Sequence, residues 1–521
     1  MGRRRPKTRG TRNNNKRDYK KEDDRMDQKS TNDPRWYASD PAILRDAASM
    51  PFNYPYGRTL DMGLVYDASK GEYSDYHVYQ NIPGVMSLRM VPSFGRCKSP
   101  SDPLNVASQS IYSFIRHANS GHSNYEAPDL MMYLLAMSSM YRYIVWAQRL
   151  YGLAMVYDQR NRYLPRVLLK ANGVSADSLR TNLANFRLKL NEQINKVASF
   201  AVPATFTLFN RQAFMYKDVY IENNKTIKDS IYMYVPYGFY KFAIDAASSL
   251  GKLVFQPVST GPDVELSYTD VLDIGDQIFS SIWGDEDFGI MSGDILKAYG
   301  ENIIKLESVP ELFFKLPIYD EMVLTQMKNT YILKSNERKL PDLTQTGLST
   351  TDTSTYLTCD NDFTMSSSYS KVAIAMNQLL CIDSAEVTPE MVIEATRGMV
   401  AFARHDVDPN VVRVYTGSEY CYDAQVYTLK GDGSINRMGI QQSVLIAASA
   451  PGTVPYAIAF ILSQFRYHPQ YVNVGQDETG TIISEYGYMN EITNFRIMTN
   501  WDIQKLHEAA WLNMLNVPSI G

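Results

Sequence analysis

The chain is poor in the residues that most often carry chemistry. Its four cysteines, Cys97, Cys359, Cys381 and Cys421, are spread over 521 residues without a CxxC pair, and its six histidines supply no matching ligand spacing. Neither a disulfide framework nor a zinc site is therefore expected. A reducing compartment is the default, and the single Asn224-Lys225-Thr226 glycosylation pattern is then accidental. There is no GxxxxGK[ST] phosphate loop, since Gly251-Lys252 is followed by Leu253, and HExxH and GxSxG are missing too. His117 and His122 flank a glycine connector with no Cys beside them, so hydrogen bonding that fixes a loop is expected of them. His507-Glu508 reads as solvated surface, Asp285-Glu286-Asp287 as a loop facing water, and Asp270, Asp273 and Asp276 as one helix face without a basic partner. No catalytic constellation, metal or cofactor is expected.

Long apolar runs are missing as well. The cleanest, Leu130 to Met137, falls far short of the roughly 18 residues a spanning helix needs, so no membrane span is expected. Gly2 to Asp18 holds no aliphatic or aromatic residue, which argues against a signal peptide. Pro6 stands where myristoylation wants Ser or Thr.

A formal charge of −4 conceals a split. The first 21 residues carry Arg3, Arg4, Arg5, Lys7, Arg9, Arg12, Lys16, Arg17, Lys20 and Lys21 against one acid, Asp18, a charge of +9, so the remaining 500 carry −13. Without apolar residues the arm should be disordered. It suits phosphate backbones without base specificity. A nuclear localisation signal and a solvated tail fit the arm alone equally well.

What is present begins at Pro103 to Tyr157. Asp102-Pro103 is a helix start. Ala107, Ile111, Phe114 and Ala118 recur on one apolar face, and Asn119 and Gly121 end it. Pro128 opens a second helix, apolar nearly all round except at Ser138, Arg142 and Arg149, so it should be buried on most sides. Asn119, Gly121, His122 and Asn124 belong to the structural connector between the two.

The runs RHANSGHSNYEAPDLMMY and YRYIVWAQRLYG in this stretch, with DPRWYASDPAILRDAASMPF upstream, resemble the capsid proteins of picobirnaviruses. The resemblance covers the first third of the chain. It implies a mainly helical shell domain with a projecting domain, symmetric homodimers as building units, and an icosahedral shell. It also implies a double-stranded RNA genome inside, held with the viral RNA polymerase. Beside it, RNA contact becomes the favoured role of the arm.

Elsewhere the chain mixes patterns. Asp33-Pro34, Asp40-Pro41, Pro51 and Pro55 punctuate a segment bearing Trp36, Tyr37 and Phe52, expected to be extended and to dock either on a partner subunit or on its own domain. Leu179, Leu183, Phe186, Leu190, Ile194 and Val197 predict one helix over 176–199, with Ser175 as N-cap. Residues 204–209 alternate like a strand, and two strands are expected around Asn223-Asn224. Helices are expected at 268–282 and 292–299. Residues 344–370, with fourteen Ser or Thr, predict an exposed loop or boundary. Thr388 should cap a helix ending near Phe402. Strands should span 411–429 and start at 435, and Asn500 should cap the last helix. An excess of Tyr (37) over Phe (20) suits partly wet subunit contacts or, equally, a Tyr-rich core.

The fold expected is mainly α of the α+β class. It comprises a disordered arm and linker (1–32), an extended arm (33–60), a helical shell (61–210 and 435–521), and a smaller mixed projecting domain (211–434). The function expected is a self-assembling, non-enzymatic capsid protein of the virion, assembled in the host cytoplasm around RNA. The alternative is a non-viral RNA-binding protein with a basic tail, for which no RRM or KH signature is seen.

Overall fold

The computed structural model describes residues 34–515 apart from 38, 50–58, 68, 82, 121–123, 157–163, 223–229, 260–263, 334–339, 347–354, 365–371, 409, 430–433, 442, 448–461, 463, 477–481, 491 and 493. The basic arm lies outside these residues. The chain divides into two compact units, Met1–Tyr54 and Pro55–Gly521.

In the first unit, a 3-10 turn (Pro34–Trp36) precedes helix α1 (Pro41–Ala48). An extended run was expected here because of its prolines. Asp40-Pro41 instead starts a helix, with Asp40 Oδ1 accepting from Ala42 N at 2.8 Å and Pro41 in the first turn, where its missing N–H costs nothing.

The second unit begins with a hairpin, β1 (Thr59–Asp67) and β2 (Glu72–Asn81), whose strands pair with each other. Strand β3 (Pro83–Pro92) runs parallel to β5 (Ile231–Pro236), which also pairs with the short β4 (Tyr220–Ile221). A parallel pair needs a crossover, and this one carries most of the helical layer. It holds α2 (Pro103–Ala118), α3 (Ala127–Ala154), α4 (Leu164–Ala171), α5 (Ala176–Thr181), α6 (Leu183–Val197) and α7 (Thr207–Lys217). On the other side of β3 lies β14 (Glu419–Leu429), then β15 (Ile435–Ile440), giving the order β15-β14-β3-β5-β4. This one sheet takes strands from both sides of residues 210 and 434.

Helix α3 is the axis of the large core. At 28 residues it is about 42 Å long at 1.5 Å per residue. It begins with reciprocal Glu126 and Asp129 cap bonds and buries 25 of its residues, Ser138, Arg142 and Arg149 among them. Around it pack the flanking helices, with α8 (Tyr268–Trp283), α9 (Glu286–Tyr299) and a second sheet. That sheet has the order β6 (Gly238–Ile244), β7 (Gly251–Pro257), β8 (Leu343–Gln345) and β9 (Leu357–Cys359). Gly275 of α8 lies against Tyr143 so closely that a Cβ would stand 2.2 Å from the ring. None of the described helices is long and apolar enough to cross a membrane.

A smaller core joins Leu380, Ile382, Ala395, Met399, Ala401, Met498 and Ile503. It is built from β11 (Gln378–Cys381) paired with β19 (Phe495–Met498), helix α11 (Pro389–Ala395), strand β12 (Ala401–Arg404) and helix α12 (Asn500–Met514). Three-stranded order β10-β13-β12 adds β10 (Asp362–Thr364) and β13 (Val411–Tyr415). The remaining small sheet is β16 (Val444–Ala447), β17 (Val472–Gln476) and β18 (Ile482–Tyr488). Helix α10 (Glu321–Lys328) lies against α11.

Several local expectations need correction. Residues 207–217 are helical, because burial of Leu208, Phe209, Met215 and Tyr216 follows helical spacing. The predicted 176–199 helix breaks at Asn182, whose side chain bonds Ser178 O at 3.0 Å; Ser175 caps the first piece as expected. Parts of the Ser/Thr-rich 344–370 stretch enter sheets as β8, β9 and β10. Thr388 caps α11, which ends at Ala395; Phe402 is in a strand. Thr499, one residue before Asn500, caps α12. Asp285 is the N-cap of α9, accepting from Asp287 N and Phe288 N, so the acidic run starts a helix.

Candidate functional site

Among the described residues no group of three His, Cys, Asp or Glu could hold a metal ion, and all four cysteines are free and buried. What the fold builds instead is a set of buried polar ties and a set of outward apolar surfaces.

The connector between α2 and α3 is tied to α9. Asn119 is buried, and its Nδ2 donates to Ile115 O at 2.9 Å and to Asp294 O at 3.2 Å. Tyr125 OH donates to Asp294 Oδ2 at 2.9 Å, and Ser108 Oγ to Ala127 O at 2.7 Å across the two helices. The left-handed backbone falls on Ser120, φ 60°, and not on Asn119, whose φ is −97°. Asn124 and His117 are exposed. Gly121 and His122 lie outside the described residues. The buried stripe of α2 is Leu104, Ala107, Ser108, Ile111 and Ile115; Phe114, expected on it, is exposed and packs on Tyr299 at 5.1 Å.

Arginines, Arg149 buried and Arg211 and Arg89 half-buried, tie separate elements of the core together. Arg149 is fully buried, and its Nη2 donates to Asn172 Oδ1 at 2.6 Å, which also accepts from Trp146 Nε1 at 3.1 Å. Burial pushes its guanidinium down to about 10. Arg211 Nε donates to Glu419 Oε1 at 2.8 Å and Nη2 to Gln326 Oε1 at 2.9 Å, where Tyr234 OH joins at 2.9 Å. Ser418 Oγ donates to Glu419 as well. Thus one guanidinium ties α7, β14 and α10. Arg89 of β3 pairs with Asp423 of β14 in the same sheet. Nothing in the local sequence announces the Arg211–Glu419 and Arg89–Asp423 pairs, whose partners are more than 200 residues apart.

His507 corrects an expectation. It is buried, and its Nε2 lies 2.8 Å from Met399 O. Its neighbour Glu508 is held by Gln504 Nε2 at 2.8 Å and Lys505 Nζ at 2.9 Å. Burial first, then the Arg397 charge, pulls the His507 pKa from 6.5 to about 3. The unfolded chain therefore binds this proton below about 6.5 and the folded chain does not. Stability from this site is intact above pH 6.5 and declines as pH falls toward 3, by up to about 1.4 kcal/mol per pH unit. His468, lowered by burial, acts in the same direction. A His507→Gln variant should show a shallower loss of urea midpoint between pH 6.5 and 4.5; a slope equal to the parent's would contradict this.

Among the described residues, outward apolar surfaces include the following three. In the first unit Trp36 and Tyr37 are exposed, and Phe52 lies outside the described residues. Between α6 and α8 runs a groove of about 920 Å³ with Leu272, Phe279 and Trp283 on its apolar side and Lys189, Glu192, Lys196, Asp273 and Asp276 among its polar lining. Of the three helix-face acids, Asp270 serves the α8 cap, and Asp276 accepts from Gln193 Nε2 at 3.0 Å. The third surface is the stretch 309–319, where Leu312, Phe314, Leu316 and Ile318 are exposed and Phe313 packs on the core.

The picobirnavirus capsid protein family model matches residues 36–428, well over half of the chain. A capsid protein precursor of human picobirnavirus (strain Human/Thailand/Hy005102/-) is 29% identical over 526 residues, covering 95% of this chain and 92% of that protein. Among solved structures, the crystallographic picobirnavirus capsid is similar in fold, with a TM-score of 0.78 at 21% identity, over 94% of this chain and 99% of that one.

Proposed function

We propose, from the premise that this chain belongs to the picobirnavirus capsid protein family, that it assembles into a closed shell around RNA. The role is structural: it is a capsid protein of the virion. The observation that carries the reading is the family match over residues 36–428 together with a similar fold over 94% of the chain. In this reading symmetric dimers close an icosahedral shell around a double-stranded RNA genome and its polymerase, with assembly in the host cytoplasm.

The arm, with Arg3, Arg4, Arg5, Lys7, Arg9, Arg12, Lys16, Arg17, Lys20 and Lys21, contacts RNA inside. Each phosphate contact releases condensed counterions, and the acidic remainder of the chain weakens adhesion elsewhere. Trp36, Tyr37 and Phe52 serve subunit contact, supported by the exposure of the first two. Asn119, Gly121, His122 and Asn124 shape the connector. Within 211–434, residues 378–404 are the part we assign to a projection, because with Met498 and Ile503 they build a second, smaller core.

Particles purified from cells that make the full chain alone should hold RNA that nuclease reaches only after the particles are opened. Complete digestion in intact particles would overturn the enclosure.

A further inference from the structure

The small sheet of β11 and β19 is sealed along one edge and open along the other. Its two strands pair with each other, with Leu380 opposite Arg496 and Gln378 opposite Met498. In an antiparallel pair, alternate residues turn both backbone groups toward the partner strand and the others turn both away. Cys381 turns away, since its N–H donates to Asn329 Oδ1 at 2.8 Å and its C=O accepts from Asn329 Nδ2 at 2.7 Å. Leu379 O accepts from Gln470 Nε2 along the same edge. Side chains thus close the outer edge of β11. By the same alternation Leu380 and Gln378 face Arg496 and Met498, and Ile382 N donates to Asn494 O. Phe495 and Ile497 therefore turn their N–H and C=O groups outward, and no described group bonds to them there.

An open edge is a template for another strand, and proteins ordinarily blunt it with lysine, proline, a bulge or a cover. This edge is apolar instead. Phe495 is 53% exposed and Ile497 55%, on one face of the strand, and Arg496 between them is the single charge. Met498 fixes the strand from the other face, because it is buried in the small core. The outward groups are two donors and two acceptors in strand spacing, a pattern that an extended backbone meets. A second copy of the same edge, turned about a two-fold axis at Arg496, supplies it in matching order and sets Phe495 opposite the second copy's Ile497. A two-fold contact needs one patch that complements itself, and an antiparallel edge does. We infer that β19 pairs with β19 of a second copy, joining two small sheets into one. The inference rests on the dimer reading above and names one of its contacts. The axis brings Arg496 up to its own copy, which weakens the pairing at low salt, and Asp502, near enough to attract Arg496, offsets part of this. Specific interfaces bury roughly 800 Å² per partner, more than one strand edge supplies, so the strand pair sets the register within a wider contact.

The test uses the full chain. Ile497→Pro removes an outward N–H and leaves the bonds to β11, as proline is tolerated where a strand N–H faces solvent. The variant should keep the parent's thermal midpoint within a few degrees while particle yield falls by roughly tenfold or more. In assembled particles of an Ile497→Cys chain, a short bis-maleimide should give a covalent dimer; the native cysteines are buried. This second measurement stands even if the proline variant does not fold. Particles at parental yield from folded Ile497→Pro overturn the contact alone. So do Ile497→Cys particles without the covalent dimer. A parent chain that stays monomeric overturns the assembly reading and this contact with it.

Discussion

Replacing Arg211 by leucine should destabilise the fold by about 3–5 kcal/mol, because it leaves Glu419 charged, buried and without its cation. Glu419 is 4% exposed, and its remaining hydrogen bond is from the Ser418 hydroxyl, with the charges of Arg142 and Arg397 acting from farther off. Arg211 holds its proton more firmly than usual: burial, the largest influence, opposes the charge, but Glu419 together with Tyr234 and Tyr220 outweighs it. The loss reaches beyond one contact, since Gln326, bonded to Arg211, also donates to Glu394 O at 2.7 Å in α11, beside the small core. A double variant, Arg211→Leu with Glu419→Leu, should recover much of the loss, as apolar replacement of a whole buried pair is often neutral. Urea unfolding of the parent, two single variants and the double variant measures this. A single variant as stable as the parent would show that solvent reaches the pair.

The second large effect is on cargo. Deleting Gly2–Lys21 removes ten basic residues and one acid. Assembly should survive with much less RNA per particle. The salt dependence of RNA binding should flatten too, since about nine engaged charges give a log–log slope of roughly −6 to −8. Equal RNA per particle, read from the 260/280 nm absorbance of purified shells, would remove the arm from the mechanism.

Local chemistry was legible where the determinant lies within a few residues. Asp102-Pro103, Ser175 and Thr388 start helices where the sequence says they should. The burial of α3 follows from its nearly unbroken apolar character, although its arginines are inside rather than on a solvent face. Failures came where distant contacts decide. His507 looked solvated because nothing nearby in sequence announces Met399 and Arg397 beside it. Residues 204–209 alternate too briefly to separate strand from the start of α7. The sheet shared by β3, β5 and β14 brings together strands more than 140 residues apart, which no periodicity encodes. Of the outward surfaces, the aromatic pair at Trp36 and Tyr37 drew notice by composition. The stretch 309–319 did not, because a nearly unbroken apolar run, with only Lys315 charged between Leu312 and Ile318, ordinarily signals a buried segment.

The central claim is that this chain closes into a shell by itself. Electron microscopy of the purified full chain, raised stepwise in concentration, tests it most directly. The account predicts closed particles of uniform diameter; monomers that persist at the highest concentration would contradict it.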